Sequence, residues 1–100
     1  MDTLTSKQRA HLRALAHHLK PLVQIGSAGV GPSALRTVEE AFNTRELLKV
    51  KVLESSPQEP RDAADQLAAG IPGVHIAQTI GRTVVLYRRH PEHPEIKLPG

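Results

Sequence analysis

Residues 21–32 read PLVQIGSAGVGP, and this stretch decides the fold. Its first part, from Pro21 to Ile25, is short, apolar and contains β-branched residues, which predicts a strand. The glycine-rich segment that follows predicts a tight turn. Pro32 then stands where a helix would begin, a position that tolerates proline because the missing N–H needs no partner there. A strand, a turn and a helix in this order indicate a sheet covered by helices.

The segments before and after this stretch extend the pattern. A helix is predicted from Thr5 to Leu19, because Thr5 and Gln8 have the spacing of a capping box and leucines recur along one stripe. Pro21 ends this helix, since the residue before a proline avoids the helical region. The other predicted elements are a helix from Pro32 to about Arg45, a strand at Leu47–Leu53, a helix at Arg61–Ala69, and strands at Val74–Ile80 and Thr83–Arg88 joined by a turn at Gly81-Arg82.

The predicted order is α-β-α-β-α-β-β, which indicates one compact domain of the α/β (α+β) class with three helices and a mixed four-stranded sheet. Two β-α-β units give three parallel strands, and the last hairpin adds one antiparallel strand. Right-handed crossovers place the second and third helices on one face of the sheet. We assign residues 1–89 to the domain. Residues 90–100 hold three of the eight prolines and are predicted to form an extended C-terminal tail.

Composition excludes several classes of protein. The chain of 100 residues suits one domain, and without cysteine it has no disulfide framework, thiolate zinc site or Cys nucleophile. No apolar run approaches the ~20 residues of a membrane span, and the N-terminus lacks the apolar core of a signal peptide. We therefore expect a cytoplasmic protein without a membrane partner. Phe42 and Tyr87 are too few aromatics for a fold that stacks bases on its sheet.

The net charge of +3 is unevenly distributed along the chain. Residues 1–29 carry a basic excess, the middle of the chain is acidic, and residues 71–100 are again basic. This layout fits a polyanionic partner, and it also fits an ordinary solvated surface. The cations of the first segment are Lys7, Arg9, Arg13 and Lys20, and three of them fall with His17 on a stripe beside the leucines.

We expect a ligand at the carboxyl ends of the parallel strands, where open α/β sheets usually bind one. The turn from Gly26 to Gly29 lies there, and so do the loop at residues 55–61 and Arg82. If the first helix runs antiparallel to the first strand, Lys7 and Arg9 join them. Glycines allow close approach of a phosphate, and the helix start after the turn favours an anion.

Three interpretations of the glycine turn remain open on the pattern alone. It resembles a nucleotide-binding loop, although its spacing is G-x-x-G-x-G and not that of a dinucleotide or P-loop motif. It also has the G-x-x-G spacing of a clamp on a nucleic-acid backbone. The third interpretation is a structural turn that needs small residues.

The histidines give no strong metal or catalytic pattern. His17 and His18 point about 100° apart on a helix and cannot bind one ion together. His90 and His93, with Glu92, lie in the tail and would hold a metal weakly. We therefore expect no metal, no cofactor and no catalytic residue.

Five stretches of the chain form a distinctive combination: TSKQR at 5–9, LRALAHHLKP at 12–21, VQIGSAG at 23–29, ELLKVKV at 46–52 and QTIGRTVVLYR at 78–88. Together they resemble the YhbY family, the stand-alone version of the CRM (chloroplast RNA splicing and ribosome maturation) domain. The similarity runs from about Leu4 to Arg89. The resemblance implies a non-catalytic RNA-binding domain whose fold is similar to the C-terminal domain of a bacterial translation initiation factor. Bacterial members look like factors of large ribosomal subunit assembly, and plant relatives act in group II intron splicing.

The resemblance assigns an RNA-binding site residue by residue. Ser27 and Ala28 carry no charge where many relatives have lysine, which puts more of the affinity on helix arginines and backbone N–H groups. Whether Tyr87, Lys49 and Lys51 contact RNA stays open, and the mid-strand position of the two lysines favours a solubilising role. The predicted site comprises Gly26, Ser27, Ala28 and Gly29 in the turn, the cations Lys7, Arg9, Arg13 and Lys20, and Arg82.

The main functional hypothesis is a monomeric, non-catalytic protein that binds structured RNA, most simply ribosomal RNA of the precursor large subunit, with ribosomal proteins as neighbours. The first alternative is a protein–protein adaptor on the ribosome, with the basic stripe facing an acidic partner. The second is a small nucleotide-binding domain.

Overall fold

The computed structural model describes residues 3–100 and contains the helices and strands in the predicted order. The predicted fold class, a single domain with three helices and a mixed four-stranded sheet, is confirmed. The elements are α1 (Ser6–Ala16), β1 (Pro21–Ile25), α2 (Pro32–Ala41), β2 (Leu47–Val52), α3 (Pro60–Gly70), β3 (His75–Ile80) and β4 (Thr83–Tyr87).

The sheet has the strand order β1-β2-β4-β3. β1 pairs with β2 in parallel, and β4 pairs antiparallel with both β2 and β3. Three strands therefore point one way and β4 points the other, as predicted. β4 lies between β2 and β3, so the connection from β2 through α3 to β3 passes over one strand. The sequence does not predict this strand order.

Local signals explain where α1 begins and ends. The Thr5 hydroxyl accepts a hydrogen bond from the Gln8 N–H at 3.1 Å, and the Gln8 side chain accepts one from the Thr5 N–H at 3.0 Å. This is the predicted capping box. The helix ends at Ala16, three residues before the predicted end at Leu19, because the chain must turn before Pro21 to enter β1. α2 likewise ends at Ala41 and continues as a short turn.

The two faces of the sheet carry separate apolar cores. α2 and α3 pack on one face, which confirms the predicted placement of these helices. α1 packs on the other face, together with Ile96 and Leu98 of the C-terminal segment. The buried members of the first core include Val38, Phe42, Leu67, Val50, Val84 and Leu86, and those of the second are Leu4, Leu12, Ala16, Leu47, Ala77, Val85 and Tyr87.

The C-terminal segment is held by a buried carboxylate, which the sequence pattern does not reveal. Glu46 is 6% exposed and is the one buried charged residue in the described part of the chain. Its carboxylate accepts N–H groups of His90 at 2.8 Å, Glu95 at 2.7 Å and Ile96 at 2.8 Å. Residues 88–100 have no helix or strand, and these bonds fix their path along the α1 side of the sheet.

The same bonds determine the protonation of Glu46. Burial by itself raises the pKa of this carboxyl, but the N–H groups of Ile96, His90 and Glu95, with the charge of His90, outweigh burial and lower the pKa below its ordinary value. A carboxyl with a lowered pKa stabilises the fold above its unfolded pKa. This stabilisation is lost as the pH falls through the folded pKa.

We expect Glu46→Gln to lower the free energy of unfolding by about 2–3 kcal/mol at neutral pH, because an amide offers one acceptor oxygen where the carboxylate offers two. Urea denaturation measures the difference. The difference should shrink as the pH falls through the lowered pKa of the folded carboxyl, because the wild-type side chain is then itself protonated. Glu92→Gln, on an exposed residue of the same segment, is the matched control and should change stability by less than about 0.5 kcal/mol. A loss of stability that does not depend on pH would contradict this account.

Candidate functional site

The glycine turn follows β1 directly and presents two small residues to solvent. The Gly29 N–H donates to the Gly26 carbonyl at 2.9 Å, which closes the turn across the exposed Ser27 and Ala28. Gly29 has φ +68°, in the left-handed region. A Cβ there would lie 2.5 Å from Gln58 Oε1 and 2.8 Å from a Pro57 carbon. Gly29 is therefore required by the backbone and by its neighbours, whereas a Cβ on Gly26 would meet only ordinary contacts.

The loop between β2 and α3 supports the turn. Gln58 Oε1 accepts the Val30 N–H at 3.2 Å, and the Ser56 hydroxyl accepts the Gln58 N–H at 3.1 Å. The Leu53 N–H donates to the Ile25 carbonyl at 2.8 Å, which continues the parallel pairing beyond the strands. The sequence correctly predicts that this loop and the turn lie at one end of the sheet. The sequence does not predict the hydrogen bond between the Gln58 side chain and the Val30 N–H.

A depression of about 340 Å³ lies between the turn and the first residues of α2, and it includes Gln24, Gly26, Ser33 and Thr37 among its lining residues. α2 begins at Pro32 without a side-chain cap and without an acidic residue in its first turn. The first N–H groups of a helix have no partner within the helix and favour an anion. The depression can therefore accept a phosphate oxygen.

Arg82 lies at the same end of the sheet, in the turn between β3 and β4. Its Nε donates to the Val52 carbonyl at 2.7 Å and one terminal nitrogen donates to the Leu53 carbonyl at 2.9 Å. These bonds hold the half-buried side chain at the end of β2, which is paired with the end of β1. Two of the five guanidinium N–H donors are engaged, and the remainder can reach an anion.

α1 runs in the opposite direction to the one expected. Its start, with Leu4 and Gln8, shares a cleft with Tyr87 at the end of the sheet away from the glycine turn. Its last turn, with Arg13, shares a cleft with Thr83 at the end that carries the turn. The expectation that Lys7 and Arg9 reach the glycine turn is wrong. Crossover rules fix the direction of helices that join parallel strands, and α1 joins none.

The cations of α1 therefore divide into two groups. Arg9 lies along the outer edge of β3, and its guanidinium donates to the Leu4 carbonyl at 2.7 Å and to the Ser6 hydroxyl at 3.3 Å. Lys7 is exposed on the same first turns of the helix. Arg13 lies nearer the end of the sheet that carries the glycine turn, whereas Lys20 is exposed just before Pro21, at the other end of β1 from that turn.

Charge is segregated between the two faces of the sheet. α1 and the strands contain no Asp or Glu, whereas α2 and α3 carry Glu39, Glu40, Asp62 and Asp65. Within residues 3–100 one ion pair is formed, between Arg88 and Glu39 at 3.9 Å. Among these described residues, the cations of α1 therefore form no ion pair with a carboxylate. Near the glycine turn, the acidic residues are Glu54 and Glu59 of the supporting loop.

Neither aromatic side chain is available for stacking on a base. Phe42 and Tyr87 are each 4% exposed and belong to the two cores. Burial raises the pKa of the Tyr87 hydroxyl, and the charge of Glu46 raises it further against a smaller opposite effect of Arg89. Phe42 and Tyr87 therefore act as core residues and do not form an aromatic surface.

The histidines of the C-terminal segment take part in local structure. His90 Nδ1 accepts the N–H groups of Glu92 and His93, and its Nε2 lies 3.2 Å from the Asn43 carbonyl. Residues 3–100 contain no group of three or more side chains placed to hold a metal ion. Over the same range, none of the helices has the length and apolar character needed to cross a membrane.

Comparison with known proteins agrees with this fold and identifies its relatives. Residues 4–88 match the sequence model of the CRS1 / YhbY (CRM) domain. The chain is 42% identical to the "Probable RNA-binding protein YqeI" of Bacillus subtilis, over 96% of this chain and 99% of that protein. It is 37% identical to an "RNA-binding protein" of Haemophilus influenzae, over 99% and 98%. The solution structure of a hypothetical protein from Staphylococcus aureus has a TM-score of 0.81 and 35% identity, covering 97% of this chain and all of that one.

The geometry of the turn predicts different costs for its two glycines. We expect Gly29→Ala to lower the free energy of unfolding by about 1–3 kcal/mol, because alanine is strained at a positive φ and its Cβ would displace Gln58. Gly26→Ala is the matched control and should change stability by less than about 1 kcal/mol. Thermal unfolding compares the two variants. Equal losses of stability in the two variants would contradict the distinction between Gly29 and Gly26.

Proposed function

The chain belongs to the CRS1 / YhbY (CRM) domain family, and on this premise we propose that it is a non-catalytic protein that binds structured RNA through its phosphate backbone. The observation that carries the proposal is the meeting of three features at one end of the sheet. These are the exposed glycine turn, the uncapped start of α2, and cations without carboxylate partners. Relatives in Bacillus and Haemophilus are named RNA-binding proteins.

The proposed contacts separate into two kinds. In the turn, Gly26, Ser27, Ala28 and Gly29 let a strand of RNA approach the backbone N–H groups at the start of α2. The cations Arg13, Lys20 and Arg82 then contact neighbouring phosphates, and each neutralised phosphate contributes through release of counterions. Lys7 and Arg9, farther along α1, contact a more distant part of the same RNA.

We further propose that the RNA is ribosomal RNA of a maturing large subunit, bound by a monomer in the cytoplasm next to ribosomal proteins. The support is the family resemblance, whose bacterial members look like large-subunit assembly factors. A backbone-binding surface also suits a large folded RNA, because phosphate contacts recognise shape and not a base sequence.

A protein–protein adaptor on the ribosome is a second candidate, and one observation favours it. Leu15, Leu19 and Leu22 are 42%, 38% and 49% exposed along the end of α1 and the start of β1. Exposed apolar side chains of this kind are common at protein interfaces. A protein partner would hold an adaptor on the ribosome, whereas RNA would hold an RNA-binding protein there.

Removing two exposed cations of the proposed surface, Arg13 on α1 and Lys20 before β1, should weaken RNA binding without unfolding the protein. We expect Arg13→Gln with Lys20→Gln to weaken binding of a fluorescent RNA hairpin about 10-fold at low salt. The slope of log K against log[salt] should fall by about 1–2, close to 0.9 for each lost phosphate contact. The control is Arg45→Gln with Arg89→Gln, two exposed cations at the opposite end of the sheet. If the test pair and the control bind equally well, the site is misplaced.

Crosslinking in cells followed by sequencing of the bound RNA tests the ribosomal target. We expect reads from large-subunit ribosomal RNA and its precursors, and enrichment of other RNAs would contradict that part of the proposal. Sedimentation of ribosomes from lysates distinguishes the adaptor hypothesis from RNA binding. Ribosomal association that survives nuclease treatment favours a protein partner, whereas its loss favours RNA.

A further inference from the structure

One row of residues on the α1 side of the sheet is not covered by α1. Gln24 pairs with Lys51, Lys51 pairs with Thr83, and Thr83 pairs with Ile80, so these four side chains form a line across all four strands. They face the α1 side because Val50 and Val52, on either side of Lys51, are buried in the other core. Three of the four are exposed and Thr83 is half-buried. We name this line the open row.

A cleft of about 590 Å³ adjoins the open row, between the second half of α1 and the sheet. Arg13 and His17 line it from the helix, and the half-buried Lys49 lines it from β2. Gln78 and Thr83 add an amide and a hydroxyl, and no carboxylate lines the cleft. We name it the α1 cleft.

We propose that the open row and the α1 cleft form a second binding surface for RNA backbone, in which Arg13, Lys49 and Lys51 contact phosphates. Gln78 and Thr83 provide hydrogen bonds beside them. The inference rests on the proposed function, because the surface continues the path of the strand bound at the glycine turn.

The position of the open row supports a continuous path. Gln24 precedes Gly26 by two residues, so the row begins beside the glycine turn. From β1 to β3 the row crosses three inter-strand spacings, roughly 14 Å at about 4.8 Å each. This length accommodates more than one nucleotide.

The lysines of β2 are costly unless an anion binds them. Lysine is disfavoured in strands, and Lys49 and Lys51 lie two residues apart on one face, where like charges repel. Their pairing partners on β1 and β4 are Pro21, Gln24, Val85 and Thr83, and none of these is a carboxylate. A solubilising role would also suit an open strand, but Lys49 is half-buried in the α1 cleft with Arg13. A bound phosphate would offset both the repulsion and the partial loss of hydration.

The test compares charge removal on β2 with removal at the opposite end of the sheet. Lys49→Gln with Lys51→Gln, in the full chain, is titrated with a fluorescent RNA hairpin of arbitrary sequence at several KCl concentrations. We expect about 10-fold weaker binding at low salt and a slope of log K against log[salt] that is lower by about 1–2. The control, Arg45→Gln with Arg89→Gln, should keep the wild-type slope. A β2 variant that keeps the wild-type slope would overturn the proposal.

Amide chemical shifts of the wild-type protein give a measurement that does not depend on the folding of a variant. On addition of the same RNA, we expect shifts at residues 49–51 and 83 as well as at Ser27 and Ala28. Shifts confined to the turn would overturn the second surface and leave the proposed function standing. A wild-type protein that shows no salt-dependent binding and no shifts would overturn the proposed function itself.

Discussion

The pairing of β4 with both β2 and β3 joins the two halves of this molecule. Val84, Val85 and Leu86 have no exposed surface, because the strand is covered on both faces and on both edges. Successive side chains of β4 enter opposite cores, and a strand segment buried in this way must be apolar, as Val84, Val85 and Leu86 are. The same pairing brings the turn before β4 to the end of β2. There the Arg82 carbonyl accepts the Val52 N–H at 2.8 Å, and the Arg82 side chain binds the Val52 and Leu53 carbonyls in return.

The sheet that β4 completes separates α1 from α2 and α3, so the net charge of one face can differ from that of the other. The helices α2 and α3 carry acidic side chains among their cations, whereas α1 and the strands carry none. A polyanion is therefore attracted to one face, although the net charge of +3 is small. The C-terminal segment occupies the part of that face near Tyr87, where Glu46 holds it. The part near the glycine turn stays open.

What the sequence predicts well is local. The capping box of Thr5 and Gln8, the strand before Gly26 and the turn at Gly81 each depend on neighbouring residues, and each is where the pattern indicates. Strand order and the direction of α1 depend on packing between distant segments, and no local signal fixes them. Glu46 is the clearest case, because its partners lie 44 to 50 residues later in the chain. In the sequence, Glu46 is one acidic residue before an apolar strand.

The neutral turn explains why the cations of the sheet matter. Ser27 and Ala28 carry no charge and can offer only a hydroxyl, their small size and backbone N–H groups. Contacts of that kind fix the position of an RNA strand and add little long-range attraction. In the proposed complex the attraction comes from other cations on the α1 side, where Arg13, Lys49 and Lys51 lie along or next to the open row. The charge that the turn lacks is thus present on α1 and β2, which the packing of the helix on the sheet holds at fixed positions along the proposed path of the RNA.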